Sequence, residues 1–180
     1  MTRFSLTSHF ALITISAAAI ALSGSLNQMP VIGSLFNNAV AIAQNAQRPD
    51  VKLSLIVERR NGEDWQSGNL QSANPGEVLR YRLKGKNQGK TAAKNFTLTQ
   101  KIPDKTAYVA NSAVGNAEIT YSIDNGKSFT KQPMIPVKTA DGKTEMRPAP
   151  AESYTNVRWR WNESIAPSSD IAASYQVRIR

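Results

Sequence analysis

The chain has 180 residues, enough for one domain and an appendage, because domains usually hold roughly 100 to 200 residues. It contains no cysteine, and its single histidine, His9, lies in an apolar N-terminal leader. The rest of the chain therefore offers no disulfide, no usual zinc ligand and no histidine-dependent nucleophile, and no cofactor is expected. The formal net charge of +9 favours anionic partners.

Residues 1–43 form a leader with no acidic residue and one basic residue, Arg3. A short positive start, the apolar run Phe10–Leu22 and the small residues after it have the three-part layout of a secretory signal peptide. A signal-peptide helix is expected here, with cleavage after Ala43 or, as the earlier alternative, after Ser23. The apolar run is short for a span, which takes about 20 residues. In the alternative the leader is retained and anchors the protein in the membrane through residues 10–22.

Export places the protein in the periplasm, at the cell surface or outside the cell. All but one of the 22 basic residues follow Ala43 together with all 13 acidic residues, so that part carries a formal charge of +8. Such a balance predicts anionic neighbours such as lipid head groups, acidic polysaccharide or cell-wall polymer. Nucleic acid is the common partner of a basic domain, but the export signal argues against it.

A polar linker, 44–50, precedes a domain predicted over 51–180. Val51–Val57 alternates apolar and polar residues, which predicts a strand that ends at the turn Asn61-Gly62. Glu63–Ala73 is expected to be irregular, with Trp65 covering one end of the core.

The central stretch opens at the turn Pro75-Gly76 and holds the clearest alternation of the chain. Leu79, Tyr81, Leu83 and Gly85 alternate with Arg80, Arg82, Lys84 and Lys86, so the two sets lie on opposite faces of a strand. Strands are predicted near 77–86, 94–100 and 106–110.

In the second half of the chain, turn residues and prolines predict the structure of two segments. Ala117–Ser122 and Lys127–Lys131 flank Asp124-Asn125-Gly126, which predicts a tight hairpin. Pro133–Pro150 carries four prolines, which cannot donate to a sheet ladder, and this predicts an exposed loop or a broken edge hairpin.

Order returns near the end of the chain. Val157, Trp159 and Trp161 share one face of a strand, so both tryptophans are expected in the core rather than on a sugar-stacking platform. Ile171–Ile179 alternates as a last strand. About seven to nine short strands with turns between them predict an all-β sandwich.

The order of several short motifs resembles a known family. Pro75-Gly76-Glu77, the strand ending in Asn87-x-Gly89, Asn95-Phe96-Thr97-Leu98, Ile102-Pro103 and Tyr108-Val109 are similar to the bacterial conserved repeat domain, domain of unknown function 11. This resemblance covers about 51–180. It implies an immunoglobulin-like β-sandwich in an exported or surface protein, acting as a spacer or adhesive module with no catalytic residues.

A second resemblance is local. Ser122-x-Asp124-x-Gly126-x-Ser128-Phe129 resembles the Asp-box hairpin of sialidase-type propellers, which implies that the acid and hydroxyl bond the turn backbone while the aromatic ring packs inward. The role is structural, and the turn offers too few oxygens for calcium, which takes six to eight.

Basic residues on the outward faces of strands are the candidate site. If the strands that carry them are neighbours, their side chains merge into one anion-binding face; the alternative is that they give solubility and protect sheet edges. The residues are Arg80, Arg82, Lys84, Lys86, Arg158, Arg160, Arg178 and Arg180.

These features predict a non-enzymatic, exported domain of the cell envelope or surface with a structural or adhesive role. The alternative is a soluble periplasmic or extracellular module that binds anionic polysaccharide, or a pilus or surface protein by strand addition at a sheet edge. A carboxylate-dependent glycosidase is a distant third, because the acids are scattered over turns and no pair indicates a shared cleft.

Overall fold

The computed structural model describes residues 4–5, 13–16, 48–67 and 72–180. These residues form antiparallel β-strands, which confirms the all-β prediction. The one helical segment among them is a short 3₁₀ turn, Ala151–Ser153. No helix in the described part of the chain is long and apolar enough to cross a membrane.

The larger sheet has six strands. In order they are β4 (Asp64–Ser67), β3 (Val51–Asn61), β6 (Val78–Asn87), β14 (Asp170–Ile179) and β8 (Thr106–Tyr108), and β9 (Val114–Gly115) also pairs with β14. The long strands β3, β6 and β14 form its centre, because each has apolar residues at alternate positions, over Val51–Val57, Leu79–Leu83 and Ile171–Ile179 respectively.

The smaller sheet has four strands, in the order β10 (Glu118–Ser122), β13 (Asn156–Arg160), β7 (Thr97–Lys101) and β2 (Ile13–Ser16). Two pairs stand apart from both sheets: β1 (Phe4–Ser5) with β5 (Ser72–Ala73), and the hairpin of β11 (Met134–Lys138) and β12 (Thr144–Pro148).

The core lies between the two sheets. Trp159 of β13 is fully buried, with its ring centroid 6.0 Å from that of Tyr175 on β14. Tyr81 of β6 stacks on Tyr175 at 5.2 Å, and Phe96 contacts Trp161 at 5.6 Å. Both tryptophans of the penultimate strand region are therefore core residues, as predicted. An apolar core of this kind holds the domain without a disulfide.

Most predicted strands are present, but four details differ. The segment after Asn61 is not irregular throughout, because Asp64–Ser67 pairs with the end of β3. Trp65 on that strand does not cover the core; its ring lies against Arg80 on the outer face of the larger sheet. Residues 127–131 form a single bridge, Tyr121 with Thr130, rather than a strand. Within 51–180 the described residues form twelve strands, several of them very short, against seven to nine expected.

The proline-rich segment follows the hairpin alternative. Met134–Lys138 pairs with Thr144–Pro148 along its whole length, and the chain turns at Asp141-Gly142, where Gly142 has φ of +80°. Both prolines inside the strands are tolerated because each strand of this pair has a free side.

The helix expected in the leader is not shown. The leader residues that the structure describes, Phe4–Ser5 and Ile13–Ser16, are short strands that pair with β5 and β7. The cleavage positions Ser23 and Ala43 lie outside the described residues, so export stays a prediction.

Candidate anion-binding surface

The outer face of the larger sheet carries the basic residues of β6. Leu79, Tyr81 and Leu83 are buried against the core, and the alternation of the strand turns Arg80, Arg82, Lys84 and Lys86 to the other side. The two halves of this basic row have different surroundings, and that difference defines the candidate site.

Glu58 neutralises the first half of the row. Its carboxylate has 1% exposure and accepts hydrogen bonds from Arg80 Nε at 2.5 Å and from Arg82 Nη2. Burial opposes ionisation of Glu58, but the hydrogen bonds and charges of the two arginines outweigh it, so its pKa is lowered. The Trp65 ring covers the Arg80 guanidinium, with 4.5 Å from Cζ to the ring centroid. These two arginines are therefore held by the protein itself.

The second half of the row has no such partner. Lys84 and Lys86 are exposed, and neither forms an ion pair with any residue that the structure describes. On the neighbouring strand β3, Lys52 lies directly opposite Lys86 and Ser54 lies opposite Lys84. We call Lys52, Ser54, Lys84 and Lys86 the lysine patch.

The lysine patch surrounds a shallow depression of roughly 250 Å³. Asp170 of β14, opposite Lys86, and Gln88 complete its rim. Lys52 also contacts Asp50 at 3.2 Å, but both side chains are more than half exposed, so solvent screens this pair. Like charges directly opposite each other on paired strands repel, and a bound anion would relieve that repulsion.

The remaining predicted residues divide between two faces. Arg178 is exposed on β14, opposite Val78 of β6, and belongs to the same outer face as the lysine patch. Arg180 lies just beyond the end of β14 and donates from Nη2 to the backbone oxygen of Glu152 at 2.6 Å.

Arg158 and Arg160 lie on the outer face of the smaller sheet. Arg158 donates to Thr99 Oγ1 at 3.0 Å and lies 3.4 Å from the centroid of the Phe129 ring, while Arg160 pairs with Glu118 at 3.0 Å. The eight predicted residues therefore form no single surface, because β13 belongs to the sheet opposite β6 and β14.

Sequence reasoning left Lys52, Ser54 and Glu58 out of the candidate site. The alternation of β3 indicates that all three share one face, but only the pairing register with β6 shows which basic residues they oppose. A register that places Glu58 opposite Arg80 necessarily places Lys52 opposite Lys86, since the strands are antiparallel.

The turn at Asp124 has the bonds that its resemblance implies. Asp124 Oδ1 accepts from the backbone N–H of Ser128 at 3.0 Å and its Oδ2 from the Ser128 hydroxyl at 2.5 Å, while Ser122 Oγ accepts from the Gly126 N–H at 2.8 Å. Hydrogen bonds from Ser122 and Ser128 lower the pKa of Asp124 well below its usual range. Phe129 departs from the pattern, because it covers Arg158 rather than entering the core.

The acidic residues of the described chain define no metal centre. Within residues 4–5, 13–16, 48–67 and 72–180, no group of three or more acidic, histidine or cysteine side chains is placed to hold a metal ion. Comparison with protein-family models, curated proteins and solved structures gives no match. The lysine patch is the group of basic residues that the pairing of β3 with β6 brings together.

Proposed function

We propose that this chain is a non-enzymatic, exported domain of the cell envelope or surface, with a structural or adhesive role, that contacts an anionic polymer through the lysine patch. The proposal includes an immunoglobulin-like sandwich of the conserved repeat type, on the motifs from Pro75 to Val109. Support comes from the signal-peptide layout of residues 1–43, the two packed antiparallel sheets and the basic composition.

One observation carries the proposal. Arg80 and Arg82 share the buried Glu58. Lys84 lies opposite Ser54, and Lys86 lies between Lys52 on β3 and Asp170 on β14, but neither lysine forms an ion pair with a described residue. Basic residues placed only for solubility or edge protection would be spread apart, since adjacent like charges repel. These lysines instead lie on two central strands of the sheet.

The spacing of the charges indicates the class of ligand. Alternate residues of a strand are roughly 6.5 to 7 Å apart and neighbouring strands about 4.8 Å apart. The lysine patch is therefore an open, flat array of cations that suits a repeating polyanion, such as an acidic polysaccharide or cell-wall polymer, better than a single small anion in a closed pocket.

Binding to polygalacturonate and dextran sulfate, with neutral dextran as reference, tests the ligand class. We expect the double variant Lys84→Gln, Lys86→Gln to bind the polyanions at least fivefold more weakly. The matched control is Lys90→Gln, Lys94→Gln, which removes the same charge from exposed loop positions and should change affinity less than twofold. Equal losses of polyanion affinity in both variants would show that binding depends on the net charge alone and would contradict the proposed site.

Fractionation of the native protein with intact mass measurement tests the compartment. A mass lacking the first 43 residues, in the periplasm or medium, is the expected result. The full mass in the membrane fraction would support the anchored alternative, in which the basic face lies against lipid head groups.

A further inference from the structure

Without the leader strand β2, the smaller sheet has fewer strands than the larger one. Residues 48–180 supply three strands to the smaller sheet, β10, β13 and β7. They supply five consecutive neighbours to the larger sheet, in the order β4, β3, β6, β14 and β8. One side of β7 pairs with β13 over Thr97–Lys101. In the described residues, its other side pairs only with Ile13–Ser16 of the leader.

Contacts between the sheets show what faces this edge. Tyr121 of β10 contacts Tyr108 of β8, Trp159 of β13 contacts Tyr175 of β14, and the Tyr175 hydroxyl donates to the backbone oxygen of Lys101 on β7 at 3.4 Å. The strands of the two sheets thus face each other in the orders β10, β13, β7 and β8, β14, β6, β3. The position on the side of β7 away from β13 therefore lies over β6 and β3.

The facing row of β3 is incompletely covered. Leu53, Leu55 and Val57 point towards the core, yet they are only half-buried, whereas Leu79 and Leu83 on the adjacent strand are fully buried. The edge of β7 that pairs with the leader is thus bordered by the apolar surface of β3, and without the leader its backbone would have no partner among residues 48–67 and 72–180.

Gln100 of β7 gives an independent indication. Its side chain is fully buried, and its Nε2 makes one long contact, 3.4 Å, to the backbone oxygen of Lys101. Its Oε1 has no hydrogen-bond partner among the residues that the structure describes. A buried amide oxygen without a donor is unfavourable in a native fold, and a donor supplied by another segment would remove that cost.

We infer that the free edge of β7 accepts an extended strand from another protein once the leader has been removed. This inference rests on the proposed export. The strand's backbone would extend the ladder of β7, and its alternate side chains would cover the half-buried row of β3.

The leader segment indicates the chemistry of the incoming strand. It runs antiparallel to β7, with Ile13 opposite Gln100 and Ile15 opposite Leu98, while Thr14 and Ser16 lie opposite Thr99 and Thr97. The partner is therefore a segment in which β-branched aliphatic residues alternate with small hydroxyl residues. Such residues favour strands and suit a surface that is apolar on one side.

A peptide-binding experiment tests the inference. The protein is the chain beginning at Gln44, which retains every buried apolar residue of the described core, Ala73 to Ile179. The probe is a fluorescent peptide of residues 10–19, followed by anisotropy. We expect saturable binding, and at least tenfold weaker binding to the full chain, in which the leader competes.

Two peptide variants separate strand addition from simple hydrophobic adhesion. Thr14→Pro removes a backbone donor inside the paired segment and should weaken binding at least tenfold. Ala19→Pro makes the same change three residues after Ser16, the last leader residue in the described pairing with β7, and should leave binding unchanged. Absence of binding at 1 mM peptide, equal effects of both prolines, or a dimer of the chain that excludes the peptide would overturn the inference.

A second measurement does not depend on the shortened chain folding alone. In the full chain, Thr14→Pro should accelerate hydrogen exchange at least tenfold at those amides of Thr97–Lys101 that face the leader rather than β13, and unchanged exchange at these amides would also overturn the inference. The Lys84→Gln, Lys86→Gln variant should bind the peptide normally. Loss of polymer binding with intact peptide binding would thus contradict only the proposed polymer site, and a native protein that keeps its leader would contradict strand addition.

Discussion

The Asn87 side chain accepts a hydrogen bond at Oδ1 from the backbone N–H of Gly89, 3.1 Å away. The same oxygen accepts from the Asp50 N–H at 3.2 Å, and Nδ2 donates to the backbone oxygens of Thr91 at 2.8 Å and Ile165 at 2.9 Å. One buried amide thus joins the end of β6 to the linker before β3 and to the loop before β14.

Asn87→Asp should destabilise the domain strongly. A carboxylate cannot donate, so the oxygens of Thr91 and Ile165 would lose their donor at a buried site, with about 1 to 3 kcal/mol for each unsatisfied group. We expect at least about 2 kcal/mol less free energy of unfolding, measured by urea denaturation. Gln88→Asp adds the same charge at the next, exposed position and should have a small effect; comparable losses would contradict this role for Asn87.

Gly89 is required for space rather than for backbone conformation. A Cβ at this position would lie 2.6 Å from the Asp50 nitrogen and 2.7 Å from the Arg48 oxygen, both of them backbone atoms. Gly89→Ala should therefore destabilise the domain by about 1 to 3 kcal/mol, as overpacking does.

Gly85→Ala is the matched control for that substitution. Its Cβ would meet Leu53 Cδ2 at 2.7 Å and Ile171 Cγ1 at 2.8 Å, which are side-chain atoms that can move. We expect a smaller loss of unfolding free energy than for Gly89→Ala, and the reverse order would show that the linker backbone at Asp50 adapts.

These residues also show how far the sequence predicts the structure. Alternation of apolar residues along β3, β6 and β14 is regular, so their faces are predictable from the chain alone. The motif Asn87-x-Gly89 is visible in the sequence, but its bonds to Asp50 and Ile165 depend on long-range packing. Short strands such as Asp64–Ser67 carry too few residues for a periodic signal, and they form because β3 offers them an edge.

The candidate site was predictable only in part. A basic row on β6 follows from its alternation, whereas the neutralisation of half of that row depends on one residue of another strand, Glu58. Arg158 and Arg160 were wrongly grouped with the basic residues of β6. Their alternation resembles that of β6, but which sheet a strand joins is decided by pairing across distant parts of the chain.

Glu58→Gln should destabilise the domain by about 2 kcal/mol. Removing the carboxylate leaves two partly buried guanidinium groups without their anion; fully buried pairs lose about 3 to 5 kcal/mol, and partial exposure of Arg80 and Arg82 reduces that figure. Chemical denaturation at pH 7 gives the difference. Glu145→Gln, which breaks the exposed pair with Arg147, should change stability by less than about 0.5 kcal/mol.

The same carboxylate predicts a pH dependence. The pKa of Glu58 is lowered in the folded state, so its contribution to stability is present above the unfolded value of about 4.3 and is lost as pH falls through the folded value. The unfolding free energy of the native chain should therefore decline below about pH 5. Glu58→Gln should flatten that decline, and an unchanged slope would show that other carboxylates dominate it.

Asp124 provides a last prediction, because a partly exposed turn carboxylate seldom stays ionised in acid. Hydrogen bonds from the Ser122 and Ser128 hydroxyls lower its pKa well below the usual range, so a carboxyl titration by NMR should find Asp124 still ionised at about pH 3. Ser128→Ala removes the hydroxyl 2.5 Å from Oδ2 and should move the titration towards the ordinary value. Ser67→Ala, the same change on β4, should leave it unchanged. If the titration of Asp124 does not change in Ser128→Ala, the Ser122 hydroxyl and the Ser128 backbone N–H, at 2.6 and 3.0 Å from Oδ1, are sufficient to hold the charge.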